Sequence, residues 1–262
     1  MPDLGLPEVT LHYEVTGSGP PMILIAGMMS DSASWGPLIP HLEAHFTLIC
    51  PDNRTTGRTR PMDAPASPQI WADDALALLD HLGHDSAHVI GHSLGGYIAW
   101  AMACLAPDRV TSCTMIASAP LGLARNAELF QTVLAVRRSD APPDTWLRVF
   151  LPWIFTPEFY QTPGAIDAAI AQSRAYPHAQ STEAMAHQLE AVAAADPRLF
   201  PGPPQVPVQA LLAEKDLLIP LEEARKALSG MPVEVLSGCG HAAHWDAPER
   251  VADHLRRFID AL

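Results

Sequence analysis

Ser93 stands in Gly91-His92-Ser93-Leu94-Gly95, where the apolar run HVI gives way to a second, YIAWAMA. A strand that turns sharply into a helix forces its apex residue into a strained backbone conformation. Residues two positions away must then be small, or their Cβ atoms collide. Gly91 and Gly95 supply that room, and Gly96 lets the new helix pack close to the sheet. Such a turn holds the Ser93 hydroxyl in a cleft and aims the amide of Leu94 at the same spot. That amide starts a helix whose dipole favours negative charge. The chemistry this suits is attack on a carbonyl carbon. A serine hydroxyl becomes a nucleophile only when an oriented base takes its proton. LLAEKDLLIP places Asp216 just past one buried strand, and LSGCGHAAHWDAPE places His241 past the next strand and two glycines. Both can therefore reach one edge of a sheet, Asp216 as the acid and His241 as the base. His244 falls where a helix is expected to begin. His92 is expected to point beneath the turn, and His41, His45, His81 and His84 to be solvated. Asp246 is expected to start or cap the final helical region.

These side chains need a scaffold that brings distant segments to one edge. VTLHYEV alternates as a strand does, while PMILIAG and FTLICPD are continuous apolar runs like strands buried on both faces. WADDALALLDHLG places Trp71, Ala75, Leu78, Leu79 and Leu82 on one helical face, with Gly83 as a stop. AHVIGHS, RVTSCTMIAS, VPVQALLAEKD and PVEVLSGCGH continue the series of strands, and ERVADHLRRFIDAL closes the chain as an amphipathic helix. Strands alternating with helices predict a mostly parallel α/β sheet with right-handed crossovers. Residues 120–204 break the rhythm with helical patches, many prolines and no convincing strand. They predict a helical lid over the carboxyl ends of the strands, set into a core of residues 1–119 and 205–262. Ligands bind at that edge. Trp146, Trp153 and Phe155 either line a substrate site from the lid or fill the lid's own small core. Arg125, at the start of the lid, either meets a substrate carboxylate or stays a solvated charge.

The 262 residues suit one large domain or two small ones, and 48% hydrophobic content is enough for a buried core. The formal net charge of −13 argues against nucleic acid or an anionic membrane as partner. MPDLGLPEVT has no basic segment and no long apolar run, so no signal peptide is expected, and no apolar stretch reaches membrane-spanning length. Cys50, Cys104, Cys113 and Cys239 show no metal or redox spacing and read as buried free thiols of a cytoplasmic protein.

Along nearly its full length the chain resembles the α/β-hydrolase superfamily. LIAGMMSDSASW, CPDNRTTGRT, GHSLGG, LLAEKDLLIP and GCGHAAHWDAPERV carry the resemblance. It looks most like the small lidded group that includes 3-oxoadipate enol-lactonase, aminoacrylate hydrolase and cofactor-free haloperoxidases. The resemblance implies the order serine, acid, histidine, which Ser93, Asp216 and His241 follow. No Asp or Glu stands after MIASAP, the other acid position. It also implies that the amides of Met28 and Leu94 form the oxyanion hole, and that no metal or organic cofactor takes part. The activity implied is hydrolysis of a small ester or lactone. C–C hydrolysis, perhydrolysis, aminoacrylate-type hydrolysis and a receptor role with little turnover stay open on the same scaffold. Two departures stand out. Thr55 follows Arg54 where the group commonly has glycine, and Ala26-Gly27 stands where it has His-Gly.

Overall fold

The computed structural model describes residues 2–195 and 202–262. Its eight strands are β1 (Asp3–Leu6), β2 (Val9–Gly17), β3 (Pro21–Ile25), β4 (Thr47–Pro51), β5 (Ala87–His92), β6 (Val110–Ile116), β7 (Val208–Ala213) and β8 (Val233–Leu236). They form one sheet in the order β1-β2-β4-β3-β5-β6-β7-β8. β1 pairs antiparallel with β2, and β2 antiparallel with β4; every later pairing is parallel. Seven of these strands coincide with runs picked out above. The exception is β1, whose DLGL is too short and too polar to read as a strand. It exists because β2 offers it an edge, Leu4 opposite Leu11.

The apolar runs alternate between two layers as strand geometry requires. Ile23 and Ile25 of β3 join the core on one face, beneath α1 (Pro68–His81) and α2 (Leu94–Leu105). Met22 and Leu24 join the core on the other, against Trp35 and the buried stripe Val251, Ala252 and Leu255 of the last helix (Pro248–Asp260). Trp71, Ala75, Leu78 and Leu79 are buried on α1 as expected, and the Ser67 hydroxyl caps that helix by accepting from Ile70 N–H at 3.1 Å. The four cysteines are free, and burial pushes the Cys50 and Cys113 thiols up to about 12.

Between β6 and β7 the described residues form five helices: α3 (Ala124–Arg138), α4 (Thr145–Ile154), α5 (Pro157–Gln161), α6 (Ala165–Ala175) and α7 (Thr182–Ala193). Residues 196–201 of the expected 120–204 segment lie outside the described residues. The helical insertion has a small core of its own, in which Leu129, Val133, Met185 and Leu189 pack with Trp146 and Trp153. After it come α8 (Leu221–Ala227), the short α9 (Ala243–Asp246) and α10, the last helix. No described helix is long and apolar enough to cross a membrane.

The segment after β4 locks the loops beneath the insertion. Arg54 makes a two-pronged ion pair with Asp74 of α1, at 2.7 and 2.9 Å, and both side chains are buried. Asp52 accepts from the Ser32 and Arg58 amides at 2.9 and 2.8 Å. Thr55, the departure from glycine, has φ +79° and is fully buried, and its hydroxyl finds no partner among the described residues. A left-handed backbone costs a non-glycine residue roughly 1–2 kcal/mol, and an unpaired buried hydroxyl adds to that. Thr55→Gly should therefore raise stability by about 1 kcal/mol after glycine's extra chain entropy is subtracted. Urea unfolding measures this. A loss of more than about 1 kcal/mol would show that packing of the Thr55 methyl group outweighs the strain.

Candidate active site

Register brings the site together. Ile25, the last residue of β3, pairs with Gly91 of β5, and His92, the last of β5, pairs with Ile116 of β6. The loops after β3, β5, β7 and β8 therefore emerge on one edge, carrying Met28, Ser93, Asp216 and His241.

Ser93 sits at φ +52°, ψ −118°, the strained apex that the flanking glycines anticipate. A Cβ on Gly91 would lie 2.0 Å from the Gly95 carbonyl oxygen, and one on Gly95 would lie 1.9 Å from that of Ile25. A Cβ on Gly96 would lie 2.5 Å from the Ser118 side chain, so this glycine sets how closely α2 approaches the sheet. The Ser93 N–H donates to the Ile116 carbonyl at 3.0 Å, and its carbonyl accepts from the Ser118 hydroxyl at 2.7 Å. The turn is thus pinned on both sides while the Ser93 side chain faces a cavity. The amides of Leu94 and Met28 find no acceptor among the described residues. They are the free donors at the start of α2 and in the loop after β3.

Behind the cavity wall, Asp216 Oδ1 accepts from the Leu218 and Ile219 amides at 2.8 and 2.9 Å, while Oδ2 meets His241 Nδ1 at 2.9 Å. The carboxylate side chain is fully buried. Because a carboxylate only accepts, Nδ1 carries the proton and Nε2 keeps its lone pair. His241 lines the same cavity as Ser93, although no hydrogen bond joins the two side chains among the described residues.

His92 and His244 line the same cavity. His92 is buried beneath the turn, and its Nε2 donates to the His241 carbonyl at 2.9 Å, tying the loop after β8 to the turn. The His244 ring packs 4.3 Å from that of His92 and 4.9 Å from that of Trp35. Burial, with His244 and His241 beside it, holds His92 well below the usual imidazole range. Burial likewise pushes His244 down to about 3. Both are neutral in the fold but take up protons when unfolded. Stability from these two rings is therefore complete above the unfolded value of 6.5 and falls as pH drops below it, for His244 down to about 3. Each ring contributes a slope of at most about 1.4 kcal/mol per pH unit. Urea melts at pH 7.5 and 5 should show this loss, and His244→Phe should make it smaller. An unchanged slope in the variant would exclude His244 as a source.

The cavity has a volume of about 450 Å³, within the ordinary range for small-molecule sites. Of the residues expected to hold substrate, Trp146 and Phe155 line it, and Trp153 and Arg125 do not. Arg125 is corrected from a substrate ligand to an exposed side chain. It donates to the Leu217 carbonyl, and its guanidinium lies 5.6 Å from the Trp153 ring, which packs in the insertion's own core. The cation on the cavity wall is Arg137, one helix face further along α3. It is stacked 4.5 Å over Trp146 and braced by the Gln180 carbonyl at 2.7 Å. Asp246 is also corrected. It ends α9 and accepts from Gly240 N–H at 2.7 Å, steadying the histidine loop, while Ala247 precedes α10 without a side-chain cap.

Sequence reading also passed over Asp31 and Tyr176. The Tyr176 hydroxyl donates to Asp31 Oδ2 at 2.8 Å, joining the insertion to the loop after β3, and burial pushes the Asp31 carboxyl up. No local pattern signals a contact between residues so far apart in the chain.

A sequence model described as the α/β hydrolase fold matches residues 20–248. A protein of Azorhizobium caulinodans named for carbamate hydrolysis, RutD, is 30% identical over 241 residues, covering 90% of this chain and 89% of its own. The crystal structure of an enol-lactonase from Burkholderia xenovorans LB400 superimposes with a TM-score of 0.85 at 22% identity, covering 99% of this chain and all of the other. That of a hydrolase from Pseudomonas aeruginosa PA01 gives 0.84 at 22% identity, covering 98% and 97%.

Proposed function

Since the chain belongs to the α/β-hydrolase fold family, we propose that it hydrolyses a small carboxylic ester or lactone through an acyl-enzyme on Ser93. The observation that carries the reading is the Asp216–His241 hydrogen bond of 2.9 Å, set behind a cavity that Ser93 also lines. His241 Nε2 takes the Ser93 proton as Oγ attacks the substrate carbonyl. Asp216 holds the tautomer and stabilises the imidazolium. The negative charge that forms on the carbonyl oxygen falls to the amides of Leu94 and Met28. His241 returns its proton to the leaving alcohol, then draws one from a water that attacks the acyl carbonyl, and gives it to Ser93 Oγ as the acid leaves. In a lactone the leaving alcohol stays attached, and one open-chain hydroxy acid results. The aromatic side chains of Trp146, Phe150 and Phe155 supply an apolar wall for the acyl group.

A carbamate presents the same kind of carbonyl to the same groups, and the resemblance to RutD makes it the second substrate class to test. The test is a panel of esters, lactones and carbamates, run beside a fluorophosphonate probe and peptide mapping. Turnover of esters or lactones with labelling at Ser93 supports the proposal. Labelling elsewhere, or turnover of carbamates alone, overturns it.

A further inference from the structure

The loop that supplies Met28 lacks the histidine usual at position 26, and in this chain two other side chains hold it. At its start, Asn53 Nδ2 donates to the Ala26 carbonyl at 3.2 Å. At its end, the Met29 amide donates to Gln188 Oε1 of α7 at 3.0 Å, a contact across 159 residues of sequence. Between them Ser30 N–H closes a turn onto the Gly27 carbonyl at 3.2 Å, with Met29 in the left-handed region at φ +60°. A non-glycine residue does not hold that conformation without a partner to fix it.

Gln188 is fully buried. Its Oε1 also accepts from Gln180 Nε2 at 3.1 Å, and that nitrogen donates in turn to the Thr55 carbonyl at 2.9 Å. Donor and acceptor ends of both amides are fixed by this chain: the Met29 amide needs an acceptor, and the Thr55 carbonyl needs a donor. Gln188 Nε2 and Gln180 Oε1 are left without partners among the described residues. The pair is therefore oriented by the loops it grips and not by full satisfaction of its own groups. Both departures noted in the sequence, Ala26 and Thr55, lie on segments gripped by this one pair.

We infer that Gln188, braced by Gln180, is a positioning residue that sets the oxyanion donor of Met28 from the helical insertion. The inference rests on the acyl-enzyme reading above. By holding the Met29 N–H, Gln188 fixes the plane of the 28–29 peptide. The neighbouring 27–28 peptide, which carries the Met28 donor, is thereby held in line with Leu94. Substrate binding does not need this alignment, but the tetrahedral oxyanion does, so the effect belongs in kcat and not in KM.

The test uses Gln188→Leu and Gln188→Met, both apolar and similar in size, with active sites counted by fluorophosphonate titration. Per titrated site, kcat on an ester turned over by the wild type should fall at least about tenfold while KM changes less than about threefold. The affinity for an alkyl trifluoromethyl ketone, whose adduct oxygen mimics the oxyanion, should weaken by the same factor as kcat. If instead both variants keep wild-type kcat and ketone affinity per titrated site, Gln188 serves folding alone and the inference is overturned. A loss seen only as fewer titratable sites has the same meaning. Failure of the underlying reading looks different, because the wild type itself would then show no label at Ser93.

Discussion

Ser93→Ala should fold like the wild type and lose essentially all turnover, on the order of a millionfold where the rate can still be measured. The substitution keeps the Cβ that already sits at φ +52°, so it adds no backbone strain. It leaves the Ser93 N–H to Ile116 and Ser118 to Ser93 hydrogen bonds in place, because both involve the main chain of residue 93. The hydroxyl itself bonds to nothing among the described residues, so its removal opens no buried polar group. Thermal melting should shift by no more than a few degrees, while ester hydrolysis and fluorophosphonate labelling disappear together. Retained turnover in a folded, unlabelled variant would move the chemistry to another group.

Asp216→Asn should lower kcat by about ten thousandfold, and the structure gives the reason atom by atom. The oxygen that accepts from the Leu218 and Ile219 amides must remain an oxygen, at 2.8 and 2.9 Å from those donors. The new NH₂ is therefore forced to face His241 Nδ1. Nδ1 becomes the acceptor, the ring proton moves to Nε2, and the lone pair needed to activate Ser93 is lost. Asp246→Asn is the matched control. Its remaining oxygen still accepts from Gly240 N–H, so the histidine loop keeps its support and turnover should stay within about threefold of the wild type. Kinetics on the two purified variants decide the matter, and reversed outcomes would exchange the roles of the two aspartates.

Some of this site was legible because its causes are local. The clash that makes Gly91 necessary arises within five residues, whereas that of Gly95 is with β3, and the strand before Asp216 declares itself as an apolar run. β1 escaped because its pairing comes from β2 and not from its own composition. Arg125 and Arg137 share one helix, and sequence could not say which faces the cavity, since that depends on how α3 packs against α4 and α7. Gln188 was invisible for the same reason at longer range. A glutamine in a helix carries no signal until its partner, the amide of Met29, is placed beside it.

The helical insertion and the sheet divide labour in a way that matters to anyone who would re-engineer the molecule. Trp146, Phe150 and Phe155 on the cavity wall come from one contiguous stretch of chain, whereas Ser93, His241 and Asp216 stand on the sheet's loops. Such a stretch invites exchange between homologues as a cassette to alter substrate choice. The hydrogen bond from Met29 to Gln188 makes the transplant conditional. A donor cassette without a glutamine at this register would leave the Met29 amide without its acceptor, and the chimera should bind new substrates but turn them over at least about tenfold more slowly. Placing glutamine in the cassette at the register of Gln188 should be the step that makes such chimeras work.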